Sequence, residues 1–248
     1  MRLENKTAVI TGAGGLLGRT TAEVYAREGA NLVLTDRDPE ALEEATKNFP
    51  NERTLRLGAD VTSVTDTERV TSQALQKFGA IDIFFANAGI EGFSNEISDY
   101  SLDVYNDVMD INVKGIIIGL QIILPKMSDG GSIIMTSSIA GLMGAPVNIA
   151  YAASKHAVIG LRRSTAIPAG KRGIRVNSLH PGFVESPMLT RLMSQRGDLD
   201  EVRKEMTARI KLGRFTDAEE IANAALFLGS DESKGMTDQM LVIDGGVV

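Results

Sequence analysis

The sequence predicts an α/β fold: one domain, built as a doubly wound, Rossmann-like parallel sheet of about seven strands with helices on both faces. Three observations carry this. Short β-rich runs alternate with amphipathic stretches along all 248 residues. The central runs, Ile81–Ala86 and Ser132–Thr136, are apolar almost throughout, as strands buried on both faces are. Most runs close on Gly, Asp, Asn or Ser, the residues of turns and helix starts.

Thr7–Thr11 is the first predicted strand. The turn Gly12-Ala13-Gly14-Gly15-Leu16-Leu17-Gly18 follows at once, then a helix from Arg19 to Glu28 and a strand ending at Asp36. The order has a physical reason. Glycines let the backbone approach a pyrophosphate, and the helix amino terminus offers unpaired N–H groups. An acid about 20 residues on accepts hydrogen bonds from ribose hydroxyls. A tight strand-to-helix turn beside an ordinary surface Asp would look the same. Ala41–Asn48 reads as helix, Thr54–Asp60 as strand, and Thr65–Phe78 as helix capped by Ser63 or Thr65. The fourth strand, Ile81–Ala86, ends in Asn87-Ala88-Gly89. A long helix spans Leu102–Met127 and contains Asn112. Ser132–Thr136 is the fifth strand, and Tyr151–Thr165 reads as helix. Gly173–Leu179 is the sixth strand, followed by His180-Pro181-Gly182. Helices over Leu199–Lys211 and Ala218–Leu228 precede a last strand, Met240–Asp244. Ligands of such sheets bind beyond the carboxyl ends of the strands. Asp36, Asp60, Asn87, Ser138 and Pro181 all fall at those ends.

Composition narrows the function. With no Cys, the chain has neither disulfides nor thiolate metal ligands, which fits the cytoplasm. Two His residues leave little for a metal site, and none is expected. The formal net charge of −6 argues against non-specific nucleic-acid binding. The most apolar run, Gly115–Pro125, is too short to span a bilayer, so no membrane partner is expected.

Tyr151 and Lys155 stand four residues apart on one predicted helix, so both side chains share a face. A cation beside a phenol favours the phenolate, whose ordinary pKa is ~10. Such a Tyr exchanges a proton with an alcohol or its alkoxide. A hydroxyl from Ser138 would polarise a carbonyl held against the phenol. Read alone, the same spacing describes a packed Tyr and a solvated Lys.

The chain resembles the short-chain dehydrogenase/reductase family over nearly its whole length. The matching residues are Thr11-Gly12 through Gly18, Asp60-Val61, Asn87-Ala88-Gly89, Asn112, Ser138, Tyr151 with Lys155, Asn177, Pro181-Gly182 and Asp244-Gly245-Gly246. The resemblance implies a catalytic tetrad of Asn112, Ser138, Tyr151 and Lys155, a nicotinamide dinucleotide and a homotetramer. It selects Ser138 over Ser137 and Thr136 by its spacing to Tyr151. Tyr151 would be the acid/base, Lys155 would lower its pKa and hold the nicotinamide ribose, and Asn112 would interrupt its helix and hold a water. Around the cofactor it implies the Gly12–Gly18 turn, Asp36 at the adenosine ribose, and Asp60 and Val61 at adenine; Arg37 would stack on adenine or, as in other relatives, meet a 2′-phosphate. Asn87, Ala88 and Gly89 would lie under the adenosine, with Pro181, Gly182, Val184 and Ser186 at the nicotinamide. A negative Asp36 repels a 2′-phosphate, so NAD(H) is expected ahead of NADP(H).

Ser138, Met143, Asn148, Tyr151, Met188 and Leu192 are the expected substrate contacts, in an apolar pocket shared with Leu142, Phe183, Leu189 and Met193. Glu91 is a further polar candidate. That pocket suits an uncharged secondary alcohol or ketone. An NADPH-dependent 3-oxoacyl carrier-protein reductase, a hydroxysteroid dehydrogenase and a non-catalytic dinucleotide sensor are the rival readings. Residues 186–214 are expected to form a mobile substrate lid. Three positions depart from the family pattern: Leu16 replaces the middle glycine, Pro168 is expected to end or kink its helix, and Asp238 stands where Gly is common.

Overall fold

The computed structural model describes Met1–Val248. Its core is a seven-stranded parallel sheet in the order β3-β2-β1-β4-β5-β6-β7. The strands are β1 (Thr7–Thr11), β2 (Asn31–Asp36), β3 (Thr54–Gly58), β4 (Ile83–Ala86), β5 (Ser132–Thr136), β6 (Arg175–Pro181) and β7 (Met240–Ile243). Val9 pairs with both Val33 and Phe84, so β1 lies at the centre and strand order reverses between β1 and β4. That reversal opens a crevice at the carboxyl ends of β1 and β4.

Alternate residues of each strand face opposite layers. Ala8, Ile10, Leu32, Leu34 and Phe85 pack with α1 (Leu16–Arg27) and α9 (Ala218–Gly229). Val9, Val33, Phe84, Ile133 and Met135 pack with α3 (Val64–Phe78), α5 (Gly115–Ile123) and α6 (Ile149–Gly170). Each fully buried aliphatic or aromatic side chain contributes ~1.5–3 kcal/mol by leaving water. The remaining helices are α2 (Pro39–Thr46), α4 (Leu102–Met109), α7 (Pro187–Ser194) and α8 (Leu199–Ala208).

Several boundaries differ from the sequence reading. α1 begins at Leu16, so the last three residues of the glycine-rich segment form its first turn. β6 continues through His180 and Pro181, both buried and paired with β7. The long helix is α4 and α5 joined by a five-residue π-turn, Asp110–Lys114. With its 3₁₀ end, Leu102–Lys126 is 25 residues long and apolar enough to cross a membrane by length and composition. In this fold its Val108, Ile116 and Ile123 are buried. Pro168 does not end α6, which runs on to Gly170. The carbonyl its ring deprives of a partner belongs to Ser164, on the exposed face, where solvent has access to it. Ala169, 1% exposed, anchors the last turn in the core.

Candidate active site

The crevice is a cleft of ≈ 770 Å³ running from the glycine-rich turn to α7. At its adenosine end, Gly12 takes a left-handed φ of 68°, and a Cβ there would lie 2.9 Å from the Ala88 Cα. The chain segments after β1 and β4 therefore touch. Gly15 precedes α1 with extended backbone, so Leu16 starts the helix without strain and places its side chain on the cleft wall. The amides of Leu16, Leu17 and Gly18 have no backbone acceptor, as expected for the first turn of a helix. Asp36 lies beside them, its Oδ2 accepting from the Gly14 amide at 3.0 Å, with exposed Arg37 next along. Asp60 Oδ1 accepts from the Thr62 amide at 2.8 Å, and Val61 follows on the same wall. Asn87 donates through Nδ2 to the Thr11 carbonyl at 3.1 Å and accepts from Thr136 Oγ1 at 3.2 Å, tying β1, β4 and β5 together. Gly14, Gly15, Gly18, Ala88, Gly89, Pro181, Gly182, Val184 and Ser186 also line the cleft. This cradle, with the unpaired amides of Leu16, Leu17 and Gly18 at one end, fits a dinucleotide.

At the other end, α6 presents Tyr151 and Lys155. The Lys155 ammonium is buried, donates to the Thr136 carbonyl at 2.9 Å and sits 5.4 Å from the Tyr151 ring centre. Burial pulls its pKa down to about 8. Tyr151 is pushed up to about 12, chiefly by burial; the Ser138 hydroxyl against it acts the other way and the Glu91 charge raises it further. The expected lowering of the Tyr151 pKa by Lys155 is thus absent here: desolvation dominates. Ser138 Oγ accepts from the Ala140 amide at 3.1 Å. Ser137 donates to the Lys155 carbonyl at 2.8 Å and Thr136 is held by Asn87, so both rival hydroxyls are engaged elsewhere.

Asn112 sits in the π-turn, fully buried and behind the cleft wall. Its Oδ1 accepts from the Ile90 amide at 2.8 Å, and its Nδ2 donates to the Ile90 carbonyl at 2.9 Å and to Ser154 Oγ at 3.0 Å. A Cβ on Gly89 would meet this Oδ1 at 3.1 Å and Lys155 Nζ at 3.4 Å, so the three groups are packed together.

Asn148, Met188 and Leu192 line the substrate end, with Ala145, Val147 and Phe183. Met143 does not, nor does Leu142. Their amides both bond back to the Ile139 carbonyl, at 3.1 and 2.8 Å, and this turn carries the two side chains off the cleft wall. Asn148 immediately precedes α6 yet makes no capping bond, and its buried Oδ1 has no partner. Sequence reading missed Arg191, whose Nε donates to Glu91 at 2.9 Å, and Ser94, whose amide donates to Gln195 at 3.1 Å. Arg191 follows Met188 by three residues on α7, a spacing that puts both on one face. Leu189 and Met193 pack against Val202, Met206, Ile210 and Phe215. The apolar face of α7 therefore has a protein partner as well as the cleft.

The family model described as enoyl-(acyl carrier protein) reductase matches residues 12–248. Levodione reductase of Leifsonia aquatica is 36% identical over 254 residues, covering 99% of this chain and 95% of its own. The 3-oxoacyl-[acyl-carrier-protein] reductase of Thermotoga maritima is 37% identical, with both chains fully covered. Among solved structures, NAD+-bound xylitol dehydrogenase superposes with a TM-score of 0.94 at 33% identity, over 99% of this chain and all of that one.

Proposed function

The chain belongs to the short-chain dehydrogenase/reductase family and is an oxidoreductase of that type; from that premise we propose that it interconverts a secondary alcohol and a ketone with NAD(H). The observation that carries this is the assembly of Ser138, Tyr151 and Lys155 in one cleft with the Gly12–Gly18 cradle and Asp36. A nicotinamide bound there supplies or accepts the hydride. Tyr151 gives a proton to the developing alkoxide, or takes one from the alcohol. Ser138 Oγ orients the same oxygen and stabilises its charge. Lys155 holds a ribose hydroxyl and keeps positive charge near the phenol. Asn112 fixes the Ile90 backbone beside Lys155; its amide is already engaged by Ile90 and Ser154, so the water expected on it has no part in this reading.

The substrate is a small uncharged molecule, gripped by Phe183, Met188 and Leu192. Asn148, with an amide not committed to the helix, receives a second polar group on it. An activity screen over secondary alcohols, ketones, steroids and acyl thioesters, run with each cofactor, tests this reading; no turnover of any of them would overturn it. Turnover also removes the sensor reading. The carrier-protein reductase is the second reading, favoured by the family model and the Thermotoga relative. Asp36 opposes its NADPH. Its acidic carrier also lacks a basic landing site at Lys171-Arg172, because Arg172 bonds to Asp129 and the Leu124 carbonyl by the amino end of β6, away from the cleft. In this reading the enzyme is a cytoplasmic homotetramer.

Asp36→Ala should raise the ratio of kcat/KM for NADPH to that for NADH, because it removes a negative charge facing the 2′-phosphate. An unchanged ratio would show that Asp36 does not face the ribose.

The helical pair α7 and α8 is proposed as the lid. Leu189 and Met193 of α7 pack with Val202 and Met206 of α8, and with Ile210 and Phe215 beyond them, so the two helices are expected to move together. The Arg191–Glu91 and Gln195–Ser94 bonds hold it to the loop after β4. The Arg191 side chain is 59% exposed and that of Glu91 12%, so the bridge is open to solvent on the Arg191 side only. Arg191→Ala should speed amide exchange over residues 187–210, and NADH with a substrate analogue should slow it. Exchange equally slow in both proteins, with or without ligand, would rule out the lid.

A further inference from the structure

A run of buried polar side chains leads from the protein surface to Ser138, and the chemistry above uses none of them. It begins at Asp238, whose side chain is 44% exposed. Asp238 Oδ1 accepts from Arg162 Nε at 2.9 Å. Arg162 Nη1 donates to Ser178 Oγ at 3.2 Å. Ser178 Oγ lies 2.8 Å from His180 Nε2, and His180 Nδ1 lies 3.1 Å from the main-chain oxygen of Ser138. Arg162 is 2% exposed, and Ser178 and His180 are wholly buried.

The direction of every bond is forced. A guanidinium only donates, so Ser178 Oγ must accept from Arg162. At the other end the Ser138 carbonyl only accepts, so the one ring proton of a neutral His180 is on Nδ1. Its Nε2 then presents a lone pair, and the Ser178 hydroxyl donates to it. Burial, helped by the charges of Arg162 and Lys155, holds the His180 pKa down to about 4, against the weaker pull of the Ser138 carbonyl, so the ring is neutral at pH 7 as this order requires.

The same chain accounts for Asp238. Its φ of 57° is left-handed, which favours Gly. A Gly there would leave the buried Arg162 without its one carboxylate, and an unpaired buried charge is the costlier defect.

Resting on the proposed reaction, we infer that His180 is a positioning residue: it anchors the Ser138 peptide through the proton-ordered chain Asp238–Arg162–Ser178–His180, and so aims the Ser138 hydroxyl at the substrate oxygen. The Ser138 backbone is almost fully extended, at φ −171° and ψ 168°, immediately before the short Ile139–Gly141 turn. Its carbonyl accepts from the Gly141 amide at 2.9 Å within that turn, and the His180 ring ties the same carbonyl to β6.

The test compares two variants of matched size. In His180→Asn the side-chain Nδ2 takes the place of the ring Nδ1 and can still donate to Ser138. His180→Leu keeps the same branching at Cγ and has no donor. We expect His180→Leu to lose about tenfold or more in kcat, the scale on which small misplacements act, with the NADH Kd within twofold of the parent. His180→Asn should recover most of that loss. Equal kcat in the two variants would mean the position is mere packing, and the inference would fail. A readout independent of turnover is the tautomer, seen in ¹H–¹⁵N correlation spectra of the imidazole nitrogens. The parent should carry its proton on Nδ1. A proton on Nε2 in the parent would overturn the chain. Absence of any alcohol or ketone turnover, with the Nδ1 tautomer present, would fail the reaction while leaving the anchor standing.

Discussion

Tyr151→Phe should leave NADH bound and lower turnover by at least about a hundredfold, the low end of what general acid–base catalysis contributes. Phe keeps the ring that packs near Lys155 and the helical backbone of α6. It removes one oxygen, the group Ser138 faces and the proton the reaction needs. The pKa near 12 adds a directional test. At neutral pH the phenol holds its proton, which suits donation to a carbonyl. Oxidation of an alcohol needs the phenolate, whose fraction rises tenfold per pH unit below that value. The rate of oxidation should therefore climb with pH more steeply than the rate of reduction, and Tyr151→Phe should flatten the climb. Activity within a few-fold of the parent would remove Tyr151 from the chemistry.

Gly18→Ala should unsettle both the protein and its cofactor site. The added Cβ would stand 2.2 Å from the Gly12 carbonyl oxygen and 2.8 Å from the Ala13 Cα. Both neighbours are backbone, so no side chain can swing aside. Either α1 moves away from β1 or the turn opens. Overpacking of this kind typically costs ~1–3 kcal/mol, and each kcal/mol lowers Tm by about 2–4 °C in a chain of this size. The same movement takes the Leu16, Leu17 and Gly18 amides out of register with a pyrophosphate, so NADH affinity should fall along with Tm. Gly160→Ala is the control. Nothing lies within 4 Å of its added Cβ, and it sits inside α6. It should stabilise by ~0.4–1 kcal/mol with cofactor binding unchanged. Calorimetry and NADH titration of the two variants decide the matter; equal behaviour would mean the cradle is not tight.

The sequence made legible what depends on local pattern. Alternating runs predicted the parallel sheet, and Ser132–Thr136 is a strand over the predicted residues. Ser138, Tyr151, Lys155, Asp36 and the glycine-rich turn do converge on one cleft, because strand ends converge at a sheet's carboxyl edge. What escaped depends on distant partners. Pro168 is expected to end or kink α6; it does not end it, and the buried Ala169 beyond it and the exposed Ser164 behind it are why. Met143 fell off the cleft because two amides share the Ile139 carbonyl, a turn invisible in composition. His180 read as part of a turn, yet β7 pairs with it and makes it a buried strand residue. The Asp238 departure from Gly had no meaning until Arg162 was found beside it.

The π-turn at Asp110–Lys114 has a consequence for anyone redesigning this protein. A π-turn is an α-helix carrying one surplus residue. Deleting one residue there would let α4 and α5 join in a regular hydrogen-bond ladder, and an algorithm rewarding ideal helices would favour the edit. Asn112 would then swing about 100° around the helix axis, away from Ile90 and Ser154, both of which it now holds. The product would be a sturdier scaffold with its Lys155 surroundings dismantled. Thermostability screens alone would enrich for that outcome, so selection on this chain has to read catalysis and melting together.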